Sequence, residues 1–333
     1  MQKMKIVIAG AGSIGCYVGG RLAAAGLNVH FLARPRIAAE LQEFGLHLSD
    51  WQNQRHVIPA DQLHCDTNAN LLNDADLVLV CVKSGATAEM GQLLAQHIKP
   101  GALIFSLQNG VNNYLQLRDL LPGHSILPVM VPYNVVHQGQ GHFHCGSEGI
   151  LLVENAPAAE ALLKACAQAE FEIQTHNNMP GLLWGKLLLN LNNPVNALCG
   201  LPLKQELETR ALRLIYAACL REGLQVLKKA GIKPAKAAAV PAWLIAPVLH
   251  LPDFLFKRIA RQMLAIDPQA RSSMWEDLQL GRATEIEFIN GEIVRLAHSL
   301  GMAAPFNQHM LTLVHKAENL GHYQALTARQ MRP

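Results

Sequence analysis

Lys5 to Gly15 reads KIVIAGAGSIG, an apolar β-type run that breaks into Gly10-Ala11-Gly12-Ser13-Ile14-Gly15. Glycines at this spacing, after a strand and ahead of an Ala-rich helix running on through Cys16 to Ala23, let a backbone approach a pyrophosphate. Gly10 permits the tight turn, Gly12 leaves no side chain between backbone and phosphate, and Gly15 lets the helix pack on the strand. The helix N-terminus offers N–H groups and a partial positive charge to the phosphate oxygens. The segment is therefore read as a dinucleotide loop, with Gly10, Ala11, Gly12, Ser13, Ile14 and Gly15 as its cofactor contacts.

The next apolar run, Leu27 to Ala33, closes on Arg34-Pro35-Arg36. NAD-selective folds place an Asp or Glu here to accept from the ribose 2′-hydroxyl. Two guanidinium groups suit a 2′-phosphate instead, so NADP(H) is favoured over NAD(H) and Arg34 is the expected phosphate contact. The alternative is a merely solvated loop.

Composition bounds the rest. The chain has 333 residues, half of them apolar and 16% charged, which fits two folded domains or one large one and opposes disorder. A net charge of +3 gives no case for nucleic acid. The seven cysteines are odd in number and lack a CxxC pair, which argues against a disulfide framework or zinc site and fits a reducing cytoplasm. Lys3 and Lys5 ahead of apolar residues imitate a signal peptide, but the glycines of the phosphate loop interrupt it. No apolar stretch reaches membrane-spanning length.

From residue 1 to 174, strand-like runs alternate with amphipathic stretches: an N-terminal domain with a Rossmann-type doubly wound sheet. Asp76 to Lys83 and Ala102 to Leu107 are almost continuously apolar, the pattern of buried parallel strands. Leu46–Leu48 and His56–Ile58 are weaker strands. Ser125 to Val131 and Gly149 to Val153 are expected as added strands at an edge, antiparallel in direction. From 175 to 333, helical patterns follow one another at 181–191, 206–230, 239–250, 254–264, 271–283, 285–300 and 306–320. This is the expected all-helical domain.

Lys83 and Asn109 end the two central strands, where such a sheet gathers ligands. Each has a bland reading, surface lysine or Asn-Gly turn. Lys186 and Asn190, four apart in WGKLLLN, share a helix face bordered by leucines. Such a lysine either snorkels or is a functional ammonium of lowered pKa, able to protonate a carbonyl oxygen as hydride reaches the carbon. Ser273, Asp277 and Glu285 recur at helical spacing, which ordinary capping by Ser272 or Thr284 also explains. His142 and His144 in HFHC alternate on one strand face and have no partner ligands at metal spacing, so no metal is expected.

Taken in order, GAGSIG, Val82-Lys83, Gln108-Asn109-Gly110, WGKLLLN and the run from Ser272 to Gly291 (SSM, then GRATEIEFING) resemble the ketopantoate reductases nearly end to end. That resemblance implies NADPH-dependent reduction of a small 2-oxo acid, 2-dehydropantoate to pantoate, in pantothenate biosynthesis. It implies Lys186 as general acid, with Glu285 holding the substrate hydroxyl and tuning that lysine. Ser273 and Asn190 would hold substrate, and Asn109 would sit against cofactor and substrate, with Lys83 and Glu285 also toward the cofactor. The helical domain would close over the nucleotide domain, and its apolar character leaves room for a homodimer. The chain departs from the family in three places. Its Asn-Pro, Asn193-Pro194, stands one residue early. Ala270 replaces an asparagine beside Arg271, which then becomes a candidate for holding a different or larger acid. Met130 to Val136 replaces a Thr- and Gly-rich stretch. A same-fold reductase of another 2-oxo acid and a non-catalytic NADP(H) sensor remain the alternatives.

Overall fold

The computed structural model describes residues 4–237, 240–261, 264, 269–320 and 324–333. The chain divides into two compact units, Met1–Met179 and Pro180–Pro333.

In the first unit the strands are β1 (Lys5–Ala9), β2 (Asn28–Leu32), β3 (Leu46–Asp50), β4 (Arg55–Ile58), β5 (His64–Asp66), β6 (Leu77–Val80), β7 (Leu103–Ser106), β8 (Ser125–Met130), β9 (Val135–Gly139), β10 (His142–Cys145), β11 (Leu151–Glu154) and β12 (Ile173–His176). The helices are α1 (Ser13–Ala24), α2 (Pro35–Phe44), α3 (Thr87–His97), α4 (Asn113–Leu120) and α5 (Glu160–Gln168). The main sheet runs β12-β11-β8-β7-β6-β1-β2-β5. Its centre is parallel and sealed on both faces: all four residues of β6 and the last four of β1 are buried. The strand order reverses between β1 and β6, so a crevice opens at their carboxyl ends, the position at which this topology takes ligands.

Helix α1 holds three glycines despite their roughly 1 kcal/mol cost each relative to alanine. Packing explains two of them. A Cβ on Gly19 would lie 2.5 Å from Ile8 and 2.7 Å from Phe31, and one on Gly20 would lie 2.8 Å from Leu46 and Leu48. The last two belong to a second sheet, β4-β3-β10-β9, in which β3 and β10 pair in parallel although drawn from distant segments.

The direction expected for Ser125 to Val131 is corrected. β8 runs parallel to β7, with Leu103 opposite Ser125, because α4 returns the chain across the sheet. The antiparallel neighbour is β11, and β12 closes the edge in parallel.

The second unit is helical: α6 (Met179–Asn190), α7 (Asn193–Cys199), α8 (Leu203–Glu208), α9 (Arg210–Lys229), α10 (Ala242–His250), α11 (Asp253–Ile259), α12 (Ser273–Gln279), α13 (Asn290–Ser299) and α14 (Pro305–Leu320). The single helix expected over 206–230 is two. Thr209 leaves helical geometry (φ −84°, ψ 99°), and the buried Arg213 guanidinium donates to the carbonyls of Leu207 and Glu208 left open at the end of α8. It also caps Leu249 and Leu251 at 3.0 and 2.6 Å and pairs with Asp253 at 2.8 Å. The expected 285–300 helix breaks at Ile289 between a 3₁₀ turn, Ile286–Phe288, and α13. The pattern over 254–264 stops as a helix at Ile259, and residues 262–263 lie outside the described chain.

Candidate functional site

Three turns meet the carboxyl ends of β1, β6 and β7. Gly10 adopts φ +106°, and a Cβ there would lie 2.6 Å from a Val82 methyl and 2.8 Å from the Val82 nitrogen, so only glycine lets the β1 and β6 turns touch. The amides of Gly10 and Ala11 donate to the Leu32 carbonyl at 3.1 and 3.2 Å, tying the loop to β2. Gly15 is equally constrained, since a Cβ would sit 2.2 Å from the Gly10 carbonyl oxygen. Gly12 is different: it caps α1 in extended conformation, is exposed, and a Cβ on it would meet nothing within 4 Å. The space beside Gly12, at the head of the helix that Ser13, Ile14 and Gly15 begin, is therefore open.

Arg34 follows β2, exposed, as the residue capping α2. Arg36, in the first turn, lies 3.7 Å from Glu40, so its charge has a partner within the helix. Lys83 is exposed and leads the turn after β6.

Asn109 is half-buried after β7, and its main chain is held by a lattice that motif reading misses. Ser84 Oγ donates to the Asn109 carbonyl at 2.9 Å, and Asn113 Nδ2 donates to the same oxygen and to Ser84 Oγ. Thr87 Oγ1 lies 2.8 Å from the Ser84 carbonyl and 2.9 Å from Asn113 Oδ1, and accepts from Gln108 Nε2 at 2.7 Å. Ser106 Oγ donates to Gln108 Oε1 at 3.0 Å. Ser84, Thr87, Ser106, Gln108 and Asn113 are all buried, so the turns after β6 and β7 move as one piece.

In the helical unit, Lys186 and Asn190 stand one turn apart on α6, both half-buried. Burial pulls the Lys186 pKa down, the negative charge of Glu285 pulls it up, and it settles at about 8. Glu285 opens the Ile286–Phe288 turn. That turn is fastened by Glu318, whose Oε1 accepts from the Thr284 amide at 2.8 Å. His315 bridges Glu318 and Glu287 at 2.9 and 2.8 Å.

Asn193 is the first residue of α7, and its carbonyl accepts from Ser272 Oγ at 3.2 Å. This draws the start of α12, with exposed Ser273, to the start of α7. Ser272 is a true N-cap, accepting from the Trp275 amide at 3.2 Å. Arg271 donates to the Gly200 carbonyl and stacks on Trp275 at 4.3 Å. His142 stacks on His47, and His144 bonds Ser49 Oγ at 2.8 Å. Among the described residues, no group of three or more His, Cys, Asp or Glu could hold a metal ion. No helix described is long and apolar enough to cross a membrane.

The sequence reading also missed buried polar side chains in the helical unit. Asn192 and Asn196 both donate to Glu206, and Glu222 accepts from the amides of Phe306 and Asn307 at 2.9 and 3.0 Å, anchoring α14. The available signal was asparagines four apart, 192 and 196, inside an apolar helical pattern.

Comparison with known proteins identifies the family. The ketopantoate reductase PanE/ApbA model matches residues 6–157, and the C-terminal ketopantoate reductase model matches 178–318. The chain is 29% identical over 327 residues to 2-dehydropantoate 2-reductase of Archaeoglobus fulgidus, spanning 96% of this chain and 99% of that one. A PanE/ApbA family ketopantoate reductase from Ralstonia eutropha is 30% identical, with a TM-score of 0.81 over 96% of this chain and 99% of that one. D-mandelate dehydrogenase, solved with NADH and anilino(oxo)acetate, shares the fold at a TM-score of 0.78 and 20% identity, over 96% and 99% of the two chains. The chain belongs to the ketopantoate reductase family, whose members reduce 2-oxo acids with a nicotinamide dinucleotide.

Proposed function

From that membership and this site, we propose that the chain reduces 2-dehydropantoate to pantoate with NADPH, as a cytoplasmic step of pantothenate biosynthesis. The observation that carries the reading is Lys186, an ammonium half-buried on α6 with its pKa lowered to about 8 and Glu285 as its counter-charge. A general acid is most effective when its pKa lies near the working pH.

The residues present suit the cofactor: Gly12 leaves open space at the head of α1, and Arg34, exposed just after β2, offers a guanidinium for a ribose 2′-phosphate. The nucleotide, when bound, supplies the hydride for the keto carbon. Lys83 and Asn109 flank it from the turns after β6 and β7, Asn109 also toward the substrate. Lys186 gives its proton to the keto oxygen, so that no full alkoxide forms. Glu285 accepts from the substrate hydroxyl and keeps Lys186 charged. Asn190, Asn193 and Ser273 hold the substrate's polar groups.

A second reading, a reductase of another 2-oxo acid, is favoured by Ala270, which stands where the family places an asparagine. NADPH oxidation followed by absorbance tests both, with 2-dehydropantoate run beside other 2-oxo acids and NADH. Rapid turnover of 2-dehydropantoate with NADPH alone supports the first. Turnover only with another acid supports the second. NADPH binding with no turnover at all would overturn both and leave a sensor.

A further inference from the structure

Glu206 lies on α8 with no solvent exposure. Its Oε2 accepts from Asn192 Nδ2 at 3.2 Å and from Asn196 Nδ2 at 3.0 Å, while Oε1 is buried with no hydrogen-bond partner, as is Asn192 Oδ1. Asn196 cannot turn its amide over to change this. Its Oδ1 accepts from the Ser272 amide at 2.8 Å, and its Nδ2 also donates to the Leu201 carbonyl at 2.9 Å, so backbone groups on both sides fix its orientation. The pocket thus holds two orphaned acceptors and lacks a donor. A buried carboxylate in that setting carries a heavy desolvation cost, whereas a carboxylic acid brings its own O–H.

The charged and titratable groups around it do not alter the count. Cys199 on α7 spends its thiol proton on the Asn196 carbonyl and Tyr216 on α9 makes no hydrogen bond to Glu206, and burial pushes both upward in pKa, so neither supplies a donor or a charge to the carboxyl. Arg213 on α9 turns to Asp253 and to the carbonyls of Leu207 and Glu208, and Arg271 turns to Gly200.

We infer that Glu206 works as a neutral carboxylic acid and is a positioning residue for the substrate site, holding Asn192 and Asn196 and, through Asn196, the Ser272–Ser273 turn that starts α12. Burial agrees, raising its pKa to about 8 against the two amide donors. On one side of this acid is Asn193, which follows Asn192 directly. On the other is Ser273, next to the amide that Asn196 holds. One buried proton therefore sets the spacing of two substrate contacts, an inference that rests on the proposed roles of Asn193 and Ser273.

Glu206→Gln keeps the shape and a neutral donor and acceptor; Glu206→Ala removes both. Steady-state kinetics with 2-dehydropantoate should give Glu206→Gln a KM within about twofold of wild type. Glu206→Ala should raise KM about tenfold or more, with kcat less affected and the Kd for NADPH unchanged. Above about pH 8 the wild-type KM should climb while that of Glu206→Gln stays level. A readout independent of turnover separates this inference from the assigned reaction. A carboxyl whose pKa is raised on folding loses stabilisation as pH rises from its unfolded value to its folded one. The Tm of wild type relative to Glu206→Gln should therefore fall between about pH 5 and about pH 8, and level off above. A Tm difference that does not change with pH overturns the neutral acid, even if Glu206→Ala fails to fold. A Glu206→Gln KM raised as much as that of the alanine variant overturns the positioning role.

Discussion

Lys186 and Glu285 act on one proton in opposition: burial of the ammonium favours its release, the carboxylate favours its retention, and burial wins, leaving Lys186 at about 8. The pair is brought together by the end of α6 and the irregular 284–288 turn. With Lys186 as the proposed general acid, reduction draws on the charged lysine, so its rate should decline as pH rises through about 8. In Glu285→Gln the desolvation is unopposed, and the declining limb should move to lower pH. Lys186→Ala should lower kcat roughly 100- to 10,000-fold, the usual worth of a general acid, with the Kd for NADPH unchanged. pH profiles of kcat for the three proteins check both statements.

Arg34 and Arg36 are not equivalent. Arg36 already has Glu40 near it, and Arg34 stands exposed at the head of α2. Arg34→Ala should weaken NADPH by about tenfold or more, in line with about 1.5–3 kcal/mol for a charged hydrogen bond, and leave NADH nearly unchanged. Arg36→Ala should do less. Fluorescence titration with each nucleotide gives the comparison.

The glycines of the loop separate into two kinds. Gly15→Ala drives a methyl group into the Gly10 carbonyl and should lower Tm, at a cost of about 1–3 kcal/mol or more. Gly12→Ala meets open space, so its Tm should match wild type while NADPH affinity falls, because the methyl group enters the space proposed for the cofactor. Thermal melts with and without NADPH distinguish them.

Asn113 sits at the hub of the lattice behind Asn109. Asn113→Ala leaves Thr87 and Ser84 short of a partner and should cost about 1–3 kcal/mol, with a raised KM for NADPH. Denaturant melts and kinetics read the two effects.

Burial pulls the His315 pKa down, but hydrogen bonds to Glu318 and Glu287 outweigh it and the net shift is upward. A histidine raised on folding stabilises fully below its unfolded pKa, and the contribution is lost as pH climbs through the folded value. The Tm of wild type should therefore exceed that of His315→Ala most in mild acid and converge with it in alkali.

The strand, turn and helix around the glycine loop were legible because the constraint is local: Gly10 in its positive-φ turn and Gly15 against the Gly10 carbonyl are required within six residues. The Lys186–Asn190 face was legible from helical spacing alone. What escaped notice depends on distant partners. Helix 206–230 looks continuous until Arg213 reaches back to cap α8 and across to α10. β3 and β10 join one sheet though roughly a hundred residues separate them, which no periodicity announces. Residue 206 reads only as the start of a helical pattern, and nothing near it in sequence announces that Asn192 and Asn196 close on its carboxyl; the contacts of Arg271 with Gly200 and Trp275 are equally unannounced.

Helix α1 is clamped from two sides, with Gly19 against Ile8 and Phe31 of the main sheet and Gly20 against Leu46 and Leu48 of the small one. The amides that would meet the phosphates are thus ordered before any nucleotide arrives. Binding need not spend free energy on organising its own receptor, and the small sheet, remote in sequence from the loop, is what keeps that entropy already lost.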